Sequence, residues 1–217
     1  MRSTSIVAIS DTHDLHNYID IPDGDILVHA GDLTNRGNLC ELPSFNKFLG
    51  KLPHKHKIVI AGNHDWCFQD EHEGSKKLLS NCIYLRDEEV VIQGIRFYGS
   101  PWQPWFCDWA FNLQRGEEIR EKWDMIPKGI DVLITHGPPY GYCDTVEQGG
   151  NVGCSDLADV VNIIKPQVHI FGHIHEAYGT CVGSQIEFIN ASICDLGYNP
   201  TNKPIITTVR RKEGENE

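Results

Sequence analysis

The sequence predicts an α/β fold, and three observations support this prediction. Five short apolar runs, each too short for a helix, end in a small residue or a turn and then in Asp, Asn or His. Segments with helical periodicity lie between several of these runs, as in chains that build parallel sheets. Two further short strands joined through Gln93-Gly94 resemble a hairpin, so antiparallel strands are expected as well. The apolar runs are residues 6–9, 26–30, 57–61, 132–135 and 168–171.

The remaining elements follow in order along the chain. Apolar residues from Leu42 to Leu52 keep a helical period, and Gly50 with Pro53 ends this helix. Ser155 is the expected N-cap of a later helix. Two long loops, at 100–114 and 137–153, are of a length that is usually functional. The other predicted elements are helices near 41–52, 75–79, 117–125 and 156–164, and strands at 83–85, 90–92, 95–98, 185–190 and 205–209.

Length and composition are those of one globular domain. The chain has 217 residues, of which 40% are hydrophobic and 23% are charged. No domain linker is visible, so we expect a single domain over residues 1–217 with a charged tail at about 210–217. A formal charge of −11 offers no basic surface for duplex nucleic acid. No run of about 18 apolar residues suggests a membrane span.

The cysteines and the first residues predict a cytoplasmic protein. The chain has eight cysteines and no Cys-x-x-Cys pair, which argues against a structural zinc site. Residues 1–5 lead directly into a strand, without the apolar segment of a signal peptide. We therefore expect reduced thiols, while the oligomeric state stays open.

The polar residues that follow the apolar runs form a candidate metal site. If the five strands lie parallel in one sheet, their carboxyl ends meet along one edge, where α/β sheets bind ligands. Carboxylate, amide and imidazole groups without a thiolate suit manganese, iron or zinc better than calcium. Seven donors suit two ions if one carboxylate, that of Asp32, offers an oxygen to each. The candidates are Asp11, His13, Asp32, Asn63, His136, His173 and His175.

These residues resemble the signatures of calcineurin-like metallophosphoesterases, which read D-x-H, G-D, G-N-H-[DE], H and G-H-x-H in that order. The resemblance implies two mixed β-sheets packed as a sandwich and flanked by helices, a four-layer α/β/β/α fold. In this chain the matching blocks are Asp11-Thr12-His13, Gly31-Asp32, Gly62-Asn63-His64-Asp65, His136 and Gly172-His173-Ile174-His175.

The resemblance also implies a role for each residue. His64 would be the catalytic residue, unliganded and near the substrate, and Asp32 would bridge the two metals. One metal would be held by Asp11, His13 and His175, and the other by Asn63, His136 and His173.

Finer features are similar to the small metallophosphodiesterases of the MPPED type. They lie at residues 29–34, 100–104 and 136–139. Protein Ser/Thr phosphatases carry Arg before G-N-H-E, whereas this chain has Ala61 there, which disfavours a protein phosphatase. Arg36 occupies the place of an arginine that holds substrate phosphate in a related block, through paired hydrogen bonds. A solvated surface arginine is the alternative.

The expected function is a binuclear metal-dependent phosphodiesterase acting on small phosphodiesters or cyclic nucleotides. A hydroxide bridging two divalent ions would attack phosphorus, and His64 would protonate the leaving oxygen. Manganese is the first expectation for the metal, with iron, zinc, nickel or cobalt also open. The alternatives are a phosphomonoesterase or nucleotidase, a DNA nuclease, and a non-catalytic protein-binding scaffold on the same fold.

The partner expected from this reading is a small phosphate ester, possibly a nucleotide, rather than duplex nucleic acid or a membrane. The complete set of ligand positions disfavours the scaffold. The loops at 100–114 and 137–153 are expected to set the substrate. Three tryptophans of the first loop are expected to pack in the ordinary way, with stacking on a nucleobase as the alternative: Trp102, Trp105 and Trp109.

Other histidines are expected to be structural. His29 and His169 lie inside apolar runs, which predicts core positions. His16 could also line the pocket because it is close to Asp11 in sequence. Four histidines in polar surroundings are expected to be solvated: His16, His54, His56 and His72.

Overall fold

The computed structural model describes residues 3–211, and two large mixed β-sheets dominate it. In the first sheet β13 is antiparallel to β1, and the other pairs are parallel. Its strands, in spatial order, are β13 (Ile205–Arg210), β1 (Ser3–Ile9), β2 (Ile26–Ala30), β3 (His56–Ile60) and β4 (Ile83–Tyr84).

The second sheet has four central parallel strands and an antiparallel strand on each edge. In spatial order its strands are β11 (Gly179–Gly183), β12 (Ile186–Asn190), β10 (Val168–Phe171), β9 (Val132–Thr135), β6 (Ile95–Ser100) and β5 (Glu88–Ile92). A short parallel pair, β7 (Gln103–Pro104) and β8 (Asn112–Leu113), lies within the first long loop.

Helices cover the outer faces of the two sheets. The described residues form α1 (Leu42–Lys51), α2 (Trp66–Asp70), α3 (His72–Leu78), α4 (Glu117–Trp123) and α5 (Ser155–Ile164). Single 3₁₀ turns occur at His16–Tyr18, Leu39–Glu41 and His175–Ala177. Over residues 3–211, none of the helices combines the length and the apolar character that a bilayer crossing requires.

The layers follow from the alternation of side chains along each strand. On β1, Ile6 belongs to the core cluster between the sheets, which also contains Phe97 of the second sheet. The next residue, Val7, belongs instead to the cluster that contains Phe45 of α1. On the far side, α4 and α5 share a third cluster with Leu133 of β9. These three clusters give helix, sheet, sheet and helix in turn, so the predicted four-layer sandwich is confirmed.

The five apolar runs do not lie in one sheet, which was the condition under which their carboxyl ends would meet along a single edge. Three runs form strands of the first sheet, and two form strands of the second. The difference has a physical reason: an apolar run shows that both faces of a strand are covered, but not whether a helix or another sheet covers them.

The five strand ends nevertheless meet, because the two sheets are joined at their carboxyl edges. The backbone N–H of Ser10 donates to Ala191 O at 2.9 Å, and Ile193 N–H donates back to Ser10 O at 2.9 Å. The segment after β1 and the segment after β12 are thereby held side by side, and the loops that carry the candidate ligands open into one space.

Two local predictions need correction. The N-cap of α5 is Cys154 rather than Ser155, because the Cys154 sulfur accepts from Leu157 N–H at 3.4 Å. Sulfur is a weak acceptor, so cap preferences favour the neighbouring serine. The helix α2 was not predicted at all, since its five residues are too few for a periodic pattern.

The predicted hairpin at Gln93-Gly94 is confirmed as the β5–β6 pair. The closing strands are confirmed as β12 and β13. Arg210, where the charged tail was expected to begin, is the last residue of β13, and residues 212–217 of that tail lie outside the described part. The single-domain expectation stays a prediction.

Candidate metal centre

The seven candidate ligands lie together where loops from both sheets meet. Asp11 and Asp32 follow β1 and β2 of the first sheet, while His136 and His173 follow β9 and β10 of the second. Asp11 and His136 are fully buried, and Asp32 is 2% exposed. Buried carboxylates among imidazoles are unfavourable without a partner, so such a cluster indicates a site that takes a charged ligand.

A first group consists of Asp11, His13 and His175, whose possible ligand atoms all lie within 4.8 Å of one another. His175 Nε2 is 3.4 Å from Asp11 Oδ1 and 3.3 Å from His13 Nε2. Two imidazole nitrogens and a carboxylate oxygen that face one point form a typical set of ligands for a divalent transition metal. These three residues could hold one cation.

A second group surrounds the side-chain oxygen of Asn63. His136 Nε2 lies 2.8 Å from Asn63 Oδ1, and His173 Nδ1 lies 2.8 Å from the same oxygen. His136 Nε2 is also 3.4 Å from Asp32 Oδ2. With the Asp32 carboxylate, these residues offer oxygen and nitrogen donors for a second cation.

Asp32 lies between the two groups. Its Oδ2 atom is 3.9 Å from His13 Nε2 of the first group and 3.4 Å from His136 Nε2 of the second. Its other oxygen, Oδ1, accepts a hydrogen bond from the backbone N–H of His64 at 2.7 Å. Oδ2 of Asp32 therefore lies near both groups. The role of Asp32 as a bridge between two metals stays a prediction.

Neighbouring backbone groups orient the ligands. His136 Nδ1 lies 2.9 Å from Ala30 O, and His175 Nδ1 lies 3.0 Å from Asp195 O. A carbonyl can only accept, so each Nδ1 carries a proton and each Nε2 can direct a lone pair into the site. The Asp11 carboxylate is held by the Ser192 hydroxyl, which donates to Oδ2 at 2.8 Å.

The backbone at these strand ends adopts conformations that are uncommon for residues with side chains. A Cβ at Gly172 would collide with the Asp11 carboxylate and the Ser10 hydroxyl, so only glycine fits there. Strained backbone of this kind concentrates at functional sites. Four of the seven candidate ligands have positive φ: Asp11 (52°), His13 (41°), Asp32 (56°) and His173 (68°).

Each buried carboxylate shifts the pKa of the imidazole beside it. Burial opposes charge on all four groups, but the paired contacts outweigh it. The pKa values of Asp11 and Asp32 lie well below the usual range for a carboxyl, because His175 and His136 stabilise their negative charges. In return, the carboxylates raise the pKa of both His136 and His175 to about 9.

The other two imidazoles behave in the opposite way. Burial lowers the pKa of His13 to about 4 and that of His173 to about 3. In the metal-free protein at neutral pH, the site therefore holds two carboxylates, two imidazolium ions and two neutral imidazoles. Divalent cations would replace the bound protons, since ligating imidazoles must be neutral.

His64 lies beside this site, and a hydrogen bond and two ring contacts hold its imidazole. Its Nδ1 is 2.8 Å from Asn35 O, and the ring stacks on Trp109 with centroids 4.2 Å apart. The ring of His13 lies edge-on at 4.5 Å. A ring nitrogen of His64 is also within 4.8 Å of donor atoms of His13 and Asp32. Its assignment as an unliganded catalytic residue stays a prediction.

A cavity of about 620 Å³ opens over the candidate ligands. Asp32, Asn63 and His64 form part of its base, and both long loops contribute walls. The walls are largely apolar and aromatic. They include Trp105, Phe106, Trp109, Val146, Val152 and Tyr198.

Comparison with known proteins identifies the family. The model of the calcineurin-like phosphoesterase family matches residues 4–177, which include all seven candidate ligands. The chain belongs to the calcineurin-like phosphoesterase family. The resemblance predicted from the five sequence blocks is therefore confirmed.

The relatives of this phosphoesterase include metallophosphoesterase domain-containing protein 1 of Homo sapiens. The two are 45% identical over 228 residues, covering 94% of this chain and 70% of the human protein. A Caenorhabditis elegans protein is 42% identical, covering 96% of this chain and 82% of that protein. The human protein confirms the predicted similarity to the MPPED type.

Solved structures share the fold at low sequence identity. One crystal structure superposes with a TM-score of 0.66 at 18% identity, covering 87% of this chain and 90% of the other. A protein of Thermus thermophilus gives a TM-score of 0.57 at 13% identity, covering 87% of this chain and 89% of the other. At such identity the likeness concerns the fold alone.

Arg36 lies outside the cavity of this phosphoesterase. The residue is exposed, and its backbone N–H lies 3.4 Å from Glu41 Oε2. The arginine that lines the cavity is Arg115, which no sequence pattern singled out. Its guanidinium donates to Val152 O and Gly153 O, each at 2.8 Å. Phosphate contact by Arg36 stays a prediction.

The core positions of His29 and His169 are confirmed, as both side chains are fully buried. The expectation that His16 and His54 are solvated was wrong, since they are 0% and 2% exposed. His16 packs on Phe45 and Phe48 of α1, so it does not line the cavity. The polar residues around His16 in sequence do not reveal that helix α1 covers its side chain.

The tryptophans divide between packing and the cavity. Trp102 is packed and donates through Nε1 to Asp87 at 2.8 Å, as ordinary packing predicts. Trp105 is 54% exposed and lines the cavity, and Trp109 lines it while stacked on His64. Both long loops therefore border the cavity, and their influence on the substrate stays a prediction.

Sequence reasoning missed three residues beside the site: Ser192, Asp195 and Tyr198. All follow β12, which lies beyond the last family block. One signal was present, since the strand predicted at 185–190 ends in Asn190 and small residues, Ala191 and Ser192, follow it, which repeats the strand-end pattern of the other five. Treating it as a sixth strand end would have directed attention to the loop at 195–199.

Proposed function

We propose that this phosphoesterase is a binuclear metal-dependent phosphodiesterase that hydrolyses small phosphodiesters or cyclic nucleotides. One observation carries the proposal: the two groups of possible ligand atoms lie on either side of the Asp32 carboxylate, beside a cavity large enough for a small ester. Oxygen and nitrogen donors without thiolate favour manganese as the first candidate, with iron, zinc, nickel or cobalt as alternatives.

When bound, two divalent cations would supply a hydroxide at neutral pH and stabilise the charge that develops on the phosphate oxygens. The chain would hold one cation through Asp11, His13 and His175. It would hold the other through Asn63, His136 and His173, with Asp32 between them. The protein's contribution is to fix these donors before the substrate arrives, so that little rearrangement is needed during the reaction.

His64 is proposed as the proton donor to the leaving oxygen. Since Nδ1 donates to Asn35 O at 2.8 Å, the ring presents Nε2 to the cavity side. The charged imidazolium form carries a proton on Nε2 as well, and this proton can pass to a departing alkoxide. Stacking on Trp109 keeps the ring in this orientation.

The cavity favours a diester over a monoester. A diester carries one negative charge and two organic substituents, whereas a monoester carries nearly two charges. The cavity walls offer apolar surface from Trp105, Phe106 and Val146. Among the described residues that line it, the only lysine or arginine is Arg115, whose guanidinium already donates to two carbonyls. A phosphomonoesterase or nucleotidase is the second candidate.

A binding scaffold is the third candidate, and the complete ligand set argues against it, because such a role needs no buried carboxylates. We also propose that the protein acts in the cytoplasm, in keeping with eight free cysteines. The proposed partner is a small phosphate ester rather than duplex nucleic acid or a membrane.

The test is a substrate panel on the chelated protein before and after reloading with manganese. The panel contains bis(p-nitrophenyl) phosphate, cyclic nucleotides and nucleotide monoesters, and elemental analysis accompanies each assay. We expect no hydrolysis without metal, restored hydrolysis with about two ions per chain, and faster turnover of diesters. Full activity in metal-free protein would contradict the mechanism. Two bound ions without turnover of any ester would favour the scaffold.

A further inference from the structure

We propose that Tyr198 is a substrate-contacting residue whose hydroxyl donates a hydrogen bond to a phosphate oxygen beside His64. This inference rests on the proposed phosphoesterase function and adds a residue that no family block contains. Tyr198 lies eight residues after the end of β12, and its side chain lines the cavity above the candidate ligands.

The Tyr198 ring lies between candidate ligands and the cavity. It is 4.8 Å from the His13 ring and 5.4 Å from the His175 ring, both in edge-to-face geometry. The same side chain is 45% exposed, so one side covers two candidate ligands of the first group and the other side faces the cavity. Tyrosine suits such a place because its ring is apolar and its hydroxyl is a hydrogen-bonding group.

The Tyr198 hydroxyl points toward the proposed proton donor. Its oxygen lies 3.5 Å from His64 Nε2, at the outer limit of a hydrogen bond. The Tyr198 hydroxyl therefore lies next to the Nε2 atom from which His64 would protonate the leaving oxygen. The hydroxyl hydrogen of Tyr198 can still be donated to another acceptor. A phosphate oxygen bound between Tyr198 and His64 would be such an acceptor, and hydrogen bonds to charged acceptors are strong.

The backbone that presents the ring is strained. Tyr198 has a φ of 58°, a left-handed conformation that is unfavourable for a bulky residue. The turn is closed around it: Tyr198 N–H donates to Asp195 O at 2.9 Å, and Asp195 N–H donates to Asn199 O at 2.9 Å. Strain that the surrounding structure enforces in this way is typical of functional positions.

The same turn also supports a candidate ligand. Asp195 O faces both Tyr198 N–H and His175 Nδ1, the latter at 3.0 Å. The Asp195 side chain fixes the rest of the turn by accepting from Gly197 N–H at 2.8 Å and Asn199 N–H at 2.9 Å. The turn thus fixes the position of Tyr198 relative to His175 of the first ligand group.

The competing explanation is that Tyr198 only packs against His13 and His175. The variant Tyr198→Phe separates the two, because it keeps the ring and removes the hydroxyl alone. The matched control is Tyr18→Phe, which removes a hydroxyl from an exposed tyrosine (78%) that does not line the cavity and lies in neither long loop.

The experiment measures three quantities in manganese-loaded wild type, Tyr198→Phe and Tyr18→Phe: metal content, the affinity for inorganic phosphate by calorimetry, and kcat/KM on a diester. We expect two ions per chain in all three proteins. For Tyr198→Phe we expect phosphate affinity and kcat/KM each to fall by about 10-fold to 100-fold, the effect of losing one hydrogen bond to a charged group. Tyr18→Phe should match the wild type.

Unchanged phosphate affinity and kcat/KM in Tyr198→Phe would overturn the proposal. Loss of metal from this variant would overturn it too, because the residue would then support ligands rather than substrate. Failure of the proposed function gives a different result: the wild type would hydrolyse no ester. In that case the phosphate affinities still decide whether the Tyr198 hydroxyl contacts the anion.

Discussion

The two sheets contribute different chemistry to the same site. The segments after the strands of the first sheet carry both carboxylates, Asp11 and Asp32, and the amide oxygen of Asn63. Among the seven candidate ligands, the segments after β9 and β10 of the second sheet carry imidazoles only. The closest opposite charges therefore belong to different sheets, as in His175–Asp11 at 3.4 Å and His136–Asp32 at 3.4 Å.

This difference shows how the site is stabilised. Neither half would be favourable alone, since the first sheet would bury two carboxylates without His136 and His175, and the second would bury imidazoles without a carboxylate. Packing of the sheets lowers the pKa of the carboxyls and raises that of His136 and His175. The first sheet therefore supplies the negative charge, and its residues should be the more sensitive to mutation.

The largest effect is expected for Asp32→Asn. The change removes a negative charge from between the two ligand groups, so both cations should bind more weakly. We expect diester turnover to fall by about 10⁴-fold or more, since loss of two cations removes several kcal/mol of transition-state stabilisation. Elemental analysis and initial rates measure the result. Asp20→Asn, which removes the same charge at an exposed position, is the control. Two tightly bound metals with normal turnover would place the bridge elsewhere.

The next effect is expected for His64→Ala, which tests the first sheet's contribution to proton transfer rather than to metal binding. Both metals should remain, and turnover of an alkyl diester should fall by about 10²–10⁴-fold. The loss should be smaller for a nitrophenyl ester, whose leaving group departs without a proton. Equal losses on the two esters would indicate stabilisation of charge instead. Loss of a metal would mean that His64 is a ligand.

A smaller effect is expected for Ser192→Ala, a change on the second sheet's side. The hydroxyl donates to Asp11 Oδ2 at 2.8 Å, so its removal leaves this carboxylate less well oriented. We expect the affinity for one of two metals to fall by about 10-fold to 100-fold, as for other residues that support ligands. Titration against a competing chelator measures this. Ser184→Ala at an exposed position should have no effect, and weakening of both metals alike would contradict the assignment.

The smallest effect is expected on the pH dependence of folding stability, at two equivalent positions outside the ligand set. His29 on β2 and His169 on β10 are fully buried, and each lies near a threonine hydroxyl: Thr12 at 2.9 Å and Thr135 at 2.8 Å. Burial lowers the pKa of each imidazole to about 3. Below the ordinary pKa of about 6.5 the unfolded chain binds protons that the folded protein excludes, so stability falls as the pH decreases.

When the pH is lowered from neutral to 5.5, each of the two histidines should therefore lower the free energy of unfolding by about 1.3 kcal/mol. Urea unfolding of the metal-free protein at the two pH values measures the loss. His29→Gln and His169→Gln should each reduce the pH dependence by a similar amount. Unequal reductions would show that the two sheets exclude protons to different extents. If neither variant reduced the pH dependence, the burial argument would be contradicted.

The parts of the site that could be predicted were those in which strand and ligand are adjacent in sequence. Asp11, Asn63 and His173 each follow an apolar run within a few residues, so periodicity and strand-end chemistry located them. Tyr198 could not be found in this way, because it is eight residues beyond β12 and a turn closed by Asp195 positions it.

The fold was predictable to a similar extent. The apolar runs identified strands, but the division into two sheets came from the family resemblance, since burial of both faces does not distinguish a covering helix from a covering sheet. Ser155 was predicted as the cap of α5 because cap preferences rank oxygen above sulfur, whereas the structure uses the Cys154 sulfur. His16 was misjudged because helix α1, distant in sequence, covers it.

The backbone bonds of Ser10 to Ala191 and Ile193 align the two sheets at the edge where the ligands meet. A cation bound there would cross-link the two sheets, because each ligand group contains donors from both. The sheets could not separate without releasing the cation. Metal binding would then count directly toward resistance to unfolding. A site with free metal at 100 times its dissociation constant would add about 2.7 kcal/mol, so supply of the metal would govern how long the protein survives as well as how fast it works.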